Sequence, residues 1–260
     1  MALQTISIGT TSNDGTGTNL REAFDIVNDN FAEIYDGTTA LPYQIEGTDF
    51  TGSLIVGHST TGTLSAATYN TALGIGAMDA ITQGDYNVAI GYNAGTALTT
   101  GSYNILLGGL AGDSLNTGSE NIAIGYAALS TEDGNGKNVA IGTNALEDLN
   151  AGSDAYNIAI GHDAGRNVST GTKNTLIGGL AGDALTTGAG NTALGYRALT
   201  TEDTGGRNVA IGYDALRSLN NDSQYTYNVA IGFGTMNAAT TADLSTVVGG
   251  LAGYALTTGD

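Results

Sequence analysis

The chain has 260 residues, of which 41 are Gly, one is Pro and none is Cys or Trp, and 25 acidic against seven basic residues give a formal charge of −18. A hydrophobic share of 41% is too high for a disordered linker, and Gly without a three-residue period and with a single Pro excludes collagen. The acidity repels phosphate backbones and anionic lipids, so no nucleic acid partner and no membrane insertion are expected; without Cys there are no disulfides, thiolate zinc sites or thiol nucleophiles.

The opening MALQTISIGT lacks a basic and an apolar signal region. The longest aliphatic run, residues 54–56, is far below the roughly 18 residues of a membrane span. Neither a secretion signal nor an anchor is therefore expected. Residues 9–17, GTTSNDGTG, read as a turn-rich loop. Residues 18–37 predict a short helix, with Asn19 and Glu22 as a capping box and Asp36-Gly37 as the stop. Its apolar positions Leu20, Phe24, Val27, Phe31 and Ile34 form an a/d-like seam. A helix this short needs a packing partner, either the first coil of the repeat region or, in the reading adopted, sister chains in a symmetric bundle. A connector with the only Pro, Pro42, leads to residue 52.

From residue 53 the sequence repeats. Units begin at Ser53, Asn70, Asn87, Asn104, Asn121, Asn138, Asn157, Asn174, Asn191, Asn208, Asn228 and Ser245; nine of the eleven intervals are 17 residues, and the others are 19 (138 to 157) and 20 (208 to 228). The unit reads N-[VIT]-A-[IL]-G-x-x-A-[LG]-x-x-L-T-T-G-x-x, with columns numbered from the Asn. Such a unit holds one strand of four or five residues, a Gly turn, an Ala/Leu segment that is a second strand or one helical turn, and a T-T-G turn. Seventeen residues cannot enclose a core alone, but stacked units can. The predicted fold is all-β, a β-solenoid (β-roll) of twelve 17-residue coils over residues 53–260, roughly 58 Å long. Gly in column 5 lets the chain leave the strand sharply, and Asn in column 1 predicts a ladder of side-chain amides that closes the turn before the strand.

Column 3 is apolar in every unit. If columns 2 and 4 face the coil interior, column 3 faces out, and an apolar stripe including Ala89, Leu106, Leu176 and Val247 meets partner chains; the alternative is that column 3 meets another part of the same chain. A second-order repeat lies over the first. Units 104, 174 and 245 share G-G-L-A-G, and units 121 and 191 share YAALSTEDGNGKN and YRALTTEDTGGRN. In the G-G-L units column 3 enlarges to Leu106, Leu176 or Val247 while column 6 becomes Gly109, Gly179 or Gly250, which reads as volume compensation. The last unit stops one residue short of 17 with no polar cap, so the chain is expected to continue or another domain to seat there.

Little here points to catalysis. His58 and His162 both occupy column 6, roughly 29 Å apart along one chain, too far for one site. The turns Glu132-Asp133-Gly134-Asn135 and Glu202-Asp203-Thr204-Gly205 offer oxygen ligands but no calcium-loop spacing, and are read as solvated turns. No carboxylate pair stands out for glycoside cleavage. No catalytic residue, metal or cofactor is assigned. The 13 Tyr concentrate in column 6 and just before column 1, and are read as stacks that shield the turns rather than as sugar platforms.

The stretch ISIGTTSNDGTGTNLREAFDIVNDNFAEIYDG resembles the N-terminal motif of many bacteriophage tail-fibre and related virion proteins, with Gly9, Thr10, Asn13, Asp14, Gly15, Thr16, Gly17, Leu20, Arg21, Ala23, Phe24, Asn28, Asn30, Phe31 and Tyr35 matching it. The N-x-A-I-G units resemble the β-roll head repeats of trimeric autotransporter adhesins, whose period is usually shorter. The resemblance implies a homotrimeric, non-enzymatic fibre of a phage tail, assembled in the cytoplasm of the bacterial host. Residues 1–52 would attach to other virion (tail) proteins, and residues 53–260 would form a shaft carrying a host-contacting tip. The alternative is a carbohydrate-binding or glycan-cleaving module with a host surface glycan or receptor as partner.

Overall fold

The computed structural model describes residues 43–45, 54–56 and 66–258, apart from 222 and 224. The predicted helix with Leu20, Phe24, Val27, Phe31 and Ile34, the loop at 9–17 and His58 lie outside the described residues. What is described is all-β: a parallel β-solenoid with one three-residue strand per coil at columns 2 to 4, forming one 13-stranded sheet whose order follows the chain.

The first strand, β1 (Tyr43–Ile45), falls in the connector after Pro42, where no element was predicted. It runs antiparallel to β2 (Leu54–Val56) and supplies partners to an edge that would otherwise be open. From β2 onward every pair is parallel, from β3 (Thr71–Leu73) to β13 (Thr246–Val248), which together close about ten turns. The register is column on column, and the two long units keep it: Ala140 pairs with Ala159 and Ala210 with Ala230, so the extra residues bulge out of the turns.

The rest of each coil is neither a second strand nor a helical turn. It is a run of turns whose backbone still bonds between coils, as in Met78 N–H to the Ala94 carbonyl at 3.0 Å and Asn93 N–H to the Ile75 carbonyl at 2.9 Å. These bonds satisfy groups that a turn buried against its neighbours would otherwise orphan. Column 5 shows why the sequence insists on Gly. Gly91 has φ +137, a region closed to side-chain-bearing residues, and a Cβ there would sit 2.5 Å from the Gly108 carbonyl oxygen.

The Asn ladder forms as predicted. Asn87 donates its N–H to Asn70 Oδ1 at 2.9 Å and its Nδ2 to the Gly101 carbonyl at 2.9 Å, and its own Oδ1 accepts from Asn104 N–H at 2.9 Å. One side chain thus ties three coils and closes its own turn, fully buried.

The expected direction of column 3 is reversed. Ala89, Leu106 and Leu176 are fully buried inside their own coil, and Val247 is partly buried against the same core. They are not a surface stripe. Period-two alternation places columns 1, 3 and 5 on one face, and the buried amide ladder makes that face the inner one. The interior is narrow: column 3 meets Ala of column 8, Leu or Met of column 9 and the aliphatic side chain of column 12, so most coils have room only for Ala. Where column 3 is Leu, the space comes from column 9, not from the column 6 glycines. A Cβ on Gly95 or Gly112 would lie 2.6 or 2.9 Å from the Leu106 methyls, and Gly165 and Gly182 flank Leu176 in the same way. Volume is conserved across a pair of coils rather than within one.

Candidate functional site

With column 3 inside, columns 2 and 4 form the outer face of the sheet. Column 4 is aliphatic in every described strand from β2 to β13, column 2 is aliphatic or Thr, and neither carries a charge. Leu73, Ile90, Leu194 and Ile231 are 49%, 40%, 44% and 36% exposed, and Val248 is 65% exposed. In-register pairing makes these two straight columns, roughly 53 Å long and 10 Å wide. That patch of roughly 500 Å² is as large as the largest that soluble monomers usually expose.

Aromatic ladders bracket this face. Column 17 precedes the strand and holds Tyr69, Tyr86 and Tyr103, whose rings stack at 4.8 and 5.1 Å, the strand spacing itself. Column 6 follows it and holds Tyr196, Tyr213 and Phe233, with successive centroids 5.4 Å apart. These tyrosines stay about half exposed. Cations join the ladders where acids or rings are near. Arg197 grips Asp214 with two bonds of 2.8 and 2.7 Å beside Tyr196 and Tyr213. Lys137 meets Asp154 at 2.5 Å and lies over Tyr156, holding the Asp154 carboxyl below its usual range. Arg207 lies 3.9 Å from the Tyr225 centroid and donates to the Tyr227 hydroxyl.

The E-D-G and E-D-T turns are solvated only in part: Asp133 and Gly134 are exposed, but the glutamates are not. Glu132 and Glu202 occupy column 12, an otherwise apolar core position, and are fully buried. Glu132 Oε1 accepts from Asn135 N–H at 2.9 Å and Asn135 Nδ2 at 2.8 Å; Glu202 accepts from Gly205 N–H at 2.6 Å and from Asn221 N–H at 3.3 Å. Asn221 belongs to the next coil, one of the two long ones, and the Ala151 N–H of the other long coil favours the ionised form of Glu132. Glu202 therefore serves a donor that an expanded loop leaves over, whereas Glu132 Oε1 closes its own turn and its buried Oε2 has no hydrogen-bond partner. Burial raises both carboxyls above the usual range in spite of these bonds. Sequence reasoning passed over them, although a Glu in an aliphatic column is the signal. His162 Nδ1 lies 2.9 Å from Asp163 Oδ2 on the surface, and among the described residues no three His, Cys, Asp or Glu side chains are grouped to hold a metal ion.

The feature best suited to interaction is thus the outer sheet face, one residue away from the predicted stripe. No protein-family model, no curated protein and no solved structure matches the chain.

Proposed function

We propose that this chain is the shaft of a homotrimeric phage tail fibre, a structural virion protein that links the particle to a host-contacting tip and supports adsorption. The observation that carries the reading is the outer sheet face, an uncharged and largely aliphatic stripe running the length of the solenoid. Its straight columns repeat at the strand spacing, and a second copy of this chain has that length and period. Doubled across two partners, the stripe buries roughly 1,000 Å², the threshold of a specific interface. The number three, the virion setting and attachment through residues 1–52 rest on the resemblance of the N-terminal motif and the repeats to known fibres and adhesin heads.

Sedimentation equilibrium tests the assembly. The expected mass is three times the 26.1 kDa chain, and replacing the outward Ile141 and Ile177 by Lys is expected to release monomers with unchanged β circular dichroism. A parent chain that is monomeric at micromolar concentration overturns the proposal. Particles carrying a chain without residues 1–52 are expected to lack the fibre, and retention of the fibre would remove the attachment role.

A further inference from the structure

One cleft in the side of the solenoid is built from columns 6, 7 and 10 of the coils that begin at Asn208, Asn228 and Ser245. It encloses about 360 Å³, within the range of small-ligand sites. Asp214 and Arg217 form one wall, Leu251 and Tyr254 the other, and Phe233 and Asn237 come from the coil between. The gap exists because column 7 of that middle coil is Gly234. Its φ of +59 does not require glycine, since Asn93, Asn144, Arg197 and Asp214 hold the same column at φ +53 to +56. What Gly234 contributes is an absent side chain.

The groups left in the gap differ in what they still lack. Asp214 is neutralised by the two bonds from Arg197. Asn237 spends one amide proton on the Asp214 carbonyl at 3.3 Å and keeps its remaining capacity. Arg217 is half-buried and, among the described residues, has neither an ion pair nor a hydrogen-bond partner. A guanidinium is always charged and offers a fork of five donors that matches a carboxylate or phosphate. Phosphate would make no use of the apolar walls of Phe233, Leu251 and Tyr254. A flat aromatic acid would make none of Asp214 and Asn237. A ring with an apolar face, several hydroxyls and one carboxylate uses them all.

We infer that this cleft binds an acidic saccharide, a pyranose whose carboxylate pairs with Arg217, whose hydroxyls reach Asn237 and Asp214, and whose C–H face lies on the aromatic wall. The site is independent of the shaft role and of the oligomer. Saturation-transfer NMR on the full chain tests it, with methyl glucuronide as probe, methyl glucoside as its neutral counterpart and inorganic phosphate as a charge-only control. Transfer to the glucuronide ring protons is expected, with the glucoside bound at least tenfold more weakly. Gly234→Asn fills the cleft with a residue that column 7 already accommodates elsewhere, and Arg217→Gln removes the charge alone; each is expected to weaken glucuronide binding at least tenfold with unchanged circular dichroism. Absence of transfer, equal binding of glucoside, equal binding by either variant, or phosphate competing with the glucuronide at equal affinity each overturns the assignment.

Discussion

Replacing Asn174 by Ala tests the amide ladder at the middle of the solenoid. Asn174 is fully buried; its N–H goes to Asn157 Oδ1, its Nδ2 to the Gly188 carbonyl and its Oδ1 takes Asn191 N–H, each at 2.9 Å. Alanine keeps the first bond and orphans the Gly188 carbonyl and the Asn191 N–H. At about 1–3 kcal/mol for each buried orphan, the loss is about 4 kcal/mol. Asn174→Asp separates hydrogen bonding from packing. A carboxylate still accepts from Asn191 but faces the Gly188 carbonyl with a second acceptor, whereas the protonated acid can donate to it. Burial and that carbonyl raise the folded-state pKa of the new carboxyl above its unfolded value. Its penalty is therefore complete above the folded pKa and relieved as pH falls towards the unfolded one. Repeat arrays lose two-state behaviour, so urea unfolding should be read together with hydrogen exchange at Asn191. An Ala variant within 1 kcal/mol of the parent, or an Asp variant whose deficit relative to Ala does not shrink in acid, would refute the ladder argument.

The pH response of the parent follows from Glu132 and Glu202. Both carboxyls are raised by burial, so their ionisation destabilises the fold above the folded pKa, and stability is expected to increase as pH is lowered from 7 towards the ordinary carboxyl range. Each tenfold difference in proton affinity between folded and unfolded chain is worth about 1.4 kcal/mol, and Glu132→Gln with Glu202→Gln should flatten the slope in urea titrations; an unchanged slope would assign it to general charge repulsion. Column 17 places exposed side-chain-bearing residues in the left-handed region, Glu120 at φ +61 and Lys173 at φ +61. Glycine at either is expected to stabilise by about 0.5 kcal/mol, because relief of about 1 kcal/mol or more of backbone strain exceeds the added unfolded-state entropy. The two substitutions change the charge in opposite directions, so a gain for one alone would point to electrostatics. The mass measurement on the Lys variants of Ile141 and Ile177 and the glucuronide experiment at Arg217 and Gly234 complete the set.

The periodicity of the chain was enough to read the solenoid, its coil length, its sharp column 5 turn and its amide ladder, because each depends on a residue type with one structural use. The face assignment was not readable by size. Val and Ile of columns 2 and 4 are the larger and more apolar residues, and large apolar residues ordinarily go inside; here a three-residue strand faces a wall of Leu too close to admit them. The better guide was Asn in column 1, since a polar ladder needs burial and shares its face with column 3. Glu132 and Glu202 were missed for a related reason. Charged residues in a loop read as solvated until the neighbouring coil is seen to be the long one. The cleft at Gly234 had no signal in the linear sequence, because it arises from six side chains of three successive coils around an absent one.

The pairing of Leu in column 3 with Gly in column 9 of the same and preceding coils makes single coils non-interchangeable. Excising residues 104–120 would set Gly95 against Ala123 and open a void. Excising residues 104–173, a block of four coils, would set Gly95 against Leu176 in place of Leu106, with each large side chain again beside its glycines and each buried Glu still ahead of its long loop. Such a chain would be shorter by roughly 19 Å and equally well packed. The core thus acts as a ruler whose graduation is four coils: solenoid length is free to change, but only in whole steps.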